Sequence, residues 1–289
     1  MATYTESKNA KQTVLRADSI VDLADWLQAT KAHKWYGDRE GFHGYRPQWC
    51  GIDDCEKAGN DTQGALLSIG RDMAASGWAA GVAALQKLAK ESGPEIQADF
   101  DAIERSRVAP AYVGIPDVAK VLRGHPMAAR RRTRLPQALP VIKVLINLGG
   151  LGSVAGEQKN AFGVAALAAI QRVQMTGTAV EITGYTKARA DNGSTHEVYT
   201  LMKPANAGLN LSLLAFCLTS PAYHRVLVFA ARRRHSKHAF GHGYGCSVWD
   251  RPKDSDDMLY LVPDYSANRR DVVKHYKAVT KAFKTHGSL

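Results

Sequence analysis

The spacing of hydrophobic and polar positions changes character near the middle of the chain. In the first half, apolar residues recur at helical intervals. Ile20, Leu23 and Leu27 predict a short amphipathic helix over residues 18–29, with Asp18 or Ser19 able to cap it. Leu66, Leu67, Met73, Trp78, Val82, Leu85 and Leu88 predict a helical region from Gly64 to Lys90, ended by Gly93-Pro94. Glu95 to Arg107 reads as a further helix, and Ile115-Pro116-Asp117 opens a short one ending at Gly124.

The second half alternates. Pro140 to Asn147 is a near-continuous apolar run, the pattern of a strand in a sheet covered on both faces. A helix over 157–175 follows. Strands over 178–187 and 195–203 are joined by Asp191-Asn192-Gly193-Ser194, a hairpin turn. A helix over 209–218 stops at Ser220-Pro221, Val226 to Ala231 reads as a buried strand, and 258–262 as another. Ser266 can cap a closing helix that reaches Phe283. Strands alternating with helices predict an α/β fold: a mostly parallel sheet flanked by helices, with one antiparallel hairpin and a largely helical N-terminal region. The expected organisation is a disordered arm at 1–17, a helical region at 18–125, a basic linker at 126–139 and an α/β domain at 140–289.

Composition adds a partner. At 289 residues and 45% hydrophobic, the chain can bury a substantial core. Its formal charge of +11 favours polyanions, and the charge is unevenly placed. Between Val118 and Gly156 there are seven Lys or Arg and no acid, and from Val198 to Trp249 no Asp or Glu occurs. Four cysteines are too few and too scattered for a disulfide scaffold. The polar first ten residues lack a signal-peptide core, and no apolar stretch approaches the roughly 18 residues of a membrane span. A soluble, intracellular protein with no membrane partner is expected.

The densest candidate chemistry lies from Arg232 to Trp249. Arg232, Arg233, Arg234 and Lys237 are expected to hold phosphates, while Phe240, Tyr244 and Trp249 stack bases between glycines, a combination suited to single-stranded DNA. Arg130, Arg131 and Arg132, in a run of four arginines within five residues, and Lys274 are secondary contacts. Lys274 belongs to a stripe with Arg270, Lys277, Lys281 and Lys284 at three- and four-residue steps, opposite Val272, Tyr276, Val279 and Phe283.

Other chemistries find little support. Gly149-Gly150-Leu151-Gly152 fits neither the dinucleotide fingerprint nor a P-loop. His235, His238, His242 and Cys246 have zinc-like spacing, but intervening glycines break the helix that spacing needs and no close ligand pair is present. Asp254, Asp256 and Asp257, near Asp250 and Asp264, read as a solvated turn rather than a two-metal nuclease centre. There is no nucleophile elbow, zinc-protease helix or triad signature. The expectation is a binding protein without catalytic residues, metal or cofactor.

Two resemblances extend this reading. The topology of the second half resembles a von Willebrand A domain, whose first strand ends in a metal-holding Asp-x-Ser-x-Ser. The matching positions here are Asn147-Leu148-Gly149-Gly150-Leu151, so the resemblance implies the fold without the metal site. The N-terminal Trp-rich region, Gly77-Trp78, Ile115-Pro116-Asp117, the 141–147 strand, Ser220-Pro221, the run 226–229 and Gly241-His242-Gly243-Tyr244-Gly245 together resemble phage proteins of unknown function and the Drc-type phage family. The latter are single-stranded-DNA-binding cofactors of phage RNA polymerase. That resemblance implies binding at melted promoters, recruitment of a phage-encoded RNA polymerase, and a place in the cytoplasm of the infected host. The alternative is a protein-interaction or virion structural module.

Overall fold

The computed structural model describes residues 2–6, 12–29, 62–107, 115–116, 129–130, 140–149, 156–189, 193–235, 246–247, 250–252, 255–264 and 271–287. The architecture is α/β, as expected. Its centre is a sheet with strand order β1-β2-β7-β6-β5-β9. The strands are β1 (Ala2–Glu6), β2 (Gln12–Ala17), β5 (Val141–Asn147), β6 (Ala179–Arg189), β7 (Thr195–Lys203) and β9 (Leu259–Leu261). A short β8 (Cys246–Ser247) also pairs with β6, while β3 (Ile115–Pro116) and β4 (Ala129–Arg130) pair with each other. Strands β5 and β6, β5 and β9, and β2 and β7 run parallel, and β6–β7 is the expected antiparallel hairpin.

Several predicted elements differ. Ile115–Pro116, read as the opening of a short helix, is strand β3, paired with Ala129–Arg130. Gln12–Ala17, placed by the sequence reading in a disordered arm, is a strand that pairs in parallel with β7 and buries Leu15 and Ala17. Its alternation (Thr13, Leu15 and Ala17 inward; Gln12 and Arg16 outward) is a period-two pattern too short to stand out without its neighbour. Val226–Ala231 is buried but helical. A π-helix over Tyr223–Val228 continues as α7 (Phe229–His235). A continuous apolar run signals burial and leaves the period open. Ser220-Pro221, read as a stop, also starts this helix: the Ser220 hydroxyl accepts from the Ala222 N–H at 3.2 Å, and proline suits a first helical position.

The remaining helices are α1 (Ile20–Ala29), α2 (Thr62–Ser76), α3 (Ala79–Glu91), α4 (Pro94–Arg107), α5 (Gly156–Met175), α6 (Leu211–Thr219) and α8 (Val272–Thr285). Ser19 caps α1 by accepting from the Asp22 N–H at 3.0 Å. The predicted 64–90 helix is two helices, broken at Gly77, whose φ of 84° favours glycine and whose absent side chain leaves room for Ser212. Asp271 caps α8 by accepting from the Lys274 N–H at 3.0 Å. The predicted cap, Ser266, lies outside the described residues, as do 117–124 of the predicted short helix.

Helix α5 organises the core. Every residue from Ala161 to Gln171 is buried, the mark of a helix enclosed on all sides. It lies against β6 and is surrounded by α3, α4, α6 and α8. Apolar residues of α1 to α4 join those of the sheet and the later helices in one cluster. On the opposite face of the sheet, Leu145, Tyr185 and Tyr199 form a second, smaller cluster.

Candidate nucleic-acid interface

Helix α8 is strongly two-sided. Val272, His275, Tyr276, Val279 and Phe283 are buried, while Lys274, Lys277, Lys281 and Lys284 are exposed on the other side. Lys274 lies 3.8 Å from Asp264. Among the described residues no carboxylate lies within ion-pairing distance of Lys277, Lys281 or Lys284. These three lysines, with Thr280, form one wall of a groove of about 620 Å³. The other wall is Ser92-Gly93 and the first turn of α4, Pro94 to Ile96. The positive charge of the groove therefore lies on the α8 wall, while the α4 wall carries the Glu95 carboxylate.

Arg172 on α5 fixes the groove floor. Its guanidinium donates to Glu95 and, at 2.9 Å, to the Tyr276 hydroxyl, which donates to Asp99 at 2.7 Å. The bonds to Tyr276 and Glu95 raise the arginine above its ordinary value, so it stays charged. Burial, then Asp99, pushes Tyr276 up to about 12. The chain Glu95–Arg172–Tyr276–Asp99 thus ties α4, α5 and α8 together and holds the lysine face at a set distance from α4.

The other predicted contacts are distributed differently. Arg232 is 1% exposed, with its guanidinium 5.5 Å from the Phe229 ring centroid. A side chain so enclosed presents no surface to a DNA backbone, which corrects its expected role. The cause is the helical rather than extended course of 226–231, which turns Arg232 back into the core. Arg233 and Arg234 lie on α7 and Arg130 on β4; their side chains are outside the described residues. Lys237, Phe240, Tyr244, Trp249, Arg131 and Arg132 also lie outside them, as do Arg270, His238 and His242. The segment leaves from α7 and returns at β8, which pairs with Ala188 and Arg189 at the carboxyl end of β6.

The acidic turn is held by cations. Arg251 donates to the carbonyls of Ser255, Asp256 and Met258, and Lys143 pairs with Asp257 at 3.1 Å, pulling that carboxyl below its ordinary range. Asp254 is outside the described residues. Asn147, which the sequence resemblance set against a metal-holding Asp, is buried and satisfied locally. Its amide donates to Tyr260 at 2.7 Å and its oxygen accepts from the Gly149 N–H at 2.8 Å. Among the described residues no three His, Cys, Asp or Glu side chains come together as metal ligands would.

Sequence reasoning named the lysine stripe but ranked only Lys274 among the contacts, since periodicity places residues on one face without showing what stands opposite. No single helix among the described residues is long and apolar enough to cross a membrane. The bent pair Leu211–Thr219 and Tyr223–Arg232, turning by 66°, has the necessary length and composition, and its apolar residues lie in the core.

No curated protein and no solved structure matches the chain. One family model, Domain of unknown function (DUF7192), matches residues 4–288, and the chain belongs to that family.

Proposed function

We propose that this protein binds single-stranded DNA without catalysing a reaction on it, and that the lysine face of α8 is its phosphate-binding surface. The observation that carries the reading is the set of Lys277, Lys281 and Lys284 lining one groove, exposed and without a carboxylate among the described residues to neutralise them. A row of exposed ammonium groups on one helix face suits a chain of phosphates more readily than a small neutral ligand. The preference for single strands rests on the basic, aromatic and glycine-rich composition of residues 233–249. Service as a cofactor that brings a phage RNA polymerase to melted promoters rests on the family resemblance of the sequence alone.

The test is fluorescence anisotropy on a single-stranded oligonucleotide and its duplex across a salt series. Tighter binding to the single strand is expected, with log affinity falling linearly as log salt rises. Replacing Lys277, Lys281 and Lys284 together by Ala should flatten that slope by about 2, from roughly 0.7 per phosphate contact. An unchanged slope in the triple variant removes α8 from the interface. No binding at low salt ends the nucleic-acid reading and leaves an interaction module in front.

A further inference from the structure

A second groove lies on the other side of Lys281. It has a volume of about 470 Å³ and runs between α8 and the edge strand β9. Lys281, exposed on α8, lines both this groove and the first one, so the two concavities adjoin along the helix. The floor is largely apolar: Met258, Leu259 and Tyr260 come from the β9 side, Ala278 and Ala282 from α8. Clefts that take small organic groups measure about 300–1,000 Å³, so the volume is sufficient. The polar lining carries both signs of charge, with Lys281 on α8 and Arg251 and Asp256 across from it.

Arg251 is exposed yet held in place. Its Nη2 donates to the carbonyls of Ser255 at 2.5 Å, Met258 at 2.8 Å and Asp256 at 3.2 Å, and its Nε donates to the Ser255 hydroxyl at 3.4 Å. Ser255 is itself buried, and its hydroxyl donates to the Pro252 carbonyl at 2.7 Å. A guanidinium fixed along its edge keeps its flat faces, and such planes stack on bases as aromatic rings do. Because it is already ordered, little side-chain freedom is lost when something binds. Tyr260 is fixed in a similar way: its hydroxyl accepts from the Asn147 amide at 2.7 Å and donates to the Asp250 carbonyl at 3.4 Å. A rigid plane and an apolar floor beside a lysine suit a base joined to a phosphate. The Asp256 carboxylate repels phosphate, which leaves the α8 side for it. An added peptide strand fits less well. Strand β9 has only three residues, and Arg251 already occupies the Met258 carbonyl just before it.

We infer that this second groove is a base-binding subsite for a single strand of DNA whose phosphates run along α8. The inference rests on the reading of the α8 lysines as a phosphate-binding surface and deepens it. One phosphate sits at Lys281, and its base turns into the groove against the Arg251 guanidinium plane and the floor from Met258 to Tyr260. Only an unstacked base can enter, so the groove favours a single strand over a duplex.

Fluorescence anisotropy of the full chain tests the subsite, with a single-stranded oligonucleotide compared with a twin of equal length carrying abasic sites throughout. The wild type is expected to bind the normal strand more tightly. Ala278→Leu fills the groove from an exposed helix position and should leave Tm and the salt slope as they are. It should narrow the gap between the two oligonucleotides by at least about fivefold, the lower end of what one stacked base contributes. Arg251→Lys, which keeps the charge and loses the plane, should narrow the gap as well, while Ala278→Ser should preserve it. An unchanged gap in Ala278→Leu or in Arg251→Lys, with strand binding and its lysine-dependent salt slope intact, overturns this inference and leaves the α8 surface standing. That is also the result expected if the groove serves a peptide strand. No strand binding at low salt removes both readings together.

Discussion

At the residue scale, Gly163 and Lys203 show how much a single side chain is constrained. A Cβ at Gly163 would sit 2.5 Å from the Thr219 methyl, well inside contact distance, because α5 and α6 approach closely there. Thr219 cannot readily yield, being buried with its hydroxyl bonded to the Ala215 carbonyl at 2.7 Å. Gly163→Ala is expected to destabilise by about 1–3 kcal/mol despite alanine's better helix propensity. Adding Thr219→Ser, which deletes the methyl, should make the double variant more stable than Gly163→Ala alone; denaturant titration of both decides it. Lys203 is 2% exposed, and its ammonium donates to the carbonyls of Val180 and Pro204. Burial lowers it to about 8. The unfolded lysine keeps its proton up to about 10.4. Between these values the unfolded chain binds more protons than the native one, so stability rises with pH over that window. Lys159 acts in the same direction. Lys203→Met should therefore show a smaller rise between pH 8 and 10 than wild type, by on the order of 1–3 kcal/mol. The same rise in both proteins would refute this role for Lys203.

At the element scale, helix α8 was legible from sequence and the π-helix was not. The lysines of α8 recur at three- and four-residue steps opposite Tyr276, Val279 and Phe283, so both the helix and its two faces follow from spacing. What spacing leaves open is what stands opposite the lysines. The turn Ser92-Gly93 and the start of α4 are distant in sequence, and the link from Glu95 through Arg172 and Tyr276 to Asp99 brings them into place. The run 226–231 has the opposite history. Its residues are all apolar, so no polar position marks the period, and burial against α1, α2 and α6 selects a helix where a strand was expected. That outcome turns Arg232 inward. Salt dependence of DNA binding in the α8 triple variant therefore probes the element whose two faces spacing made legible.

At the scale of the whole molecule, the N-terminal helices and the sheet are expected to unfold as one body. Leu67, Leu85, Ile96, Phe100 and Ile103 share a cluster with Val144, Phe162, Val180 and Phe283, so neither side has a separate apolar interior. Differential scanning calorimetry should give a single cooperative transition; two resolved transitions would show that the halves unfold independently. Strand β2 contributes to the same body, since it lies between β1 and β7 and carries Leu15 into the shared cluster.

The sequence alone determined the α/β class, the β6–β7 hairpin, the presence of helix α5 and the two faces of α8. Each of these is written in local periodicity or turn chemistry, where neighbouring residues carry the whole signal. Tertiary structure decided the rest. It drew Gln12–Ala17 into the sheet, because a short alternating strand is held chiefly by pairing with β7. It chose helix over strand for a uniformly apolar run, and it buried an arginine that composition had placed at the surface. Which charges come together depends on how helices stack on a sheet, and that follows from the packing of the whole apolar interior rather than from any one stretch of chain.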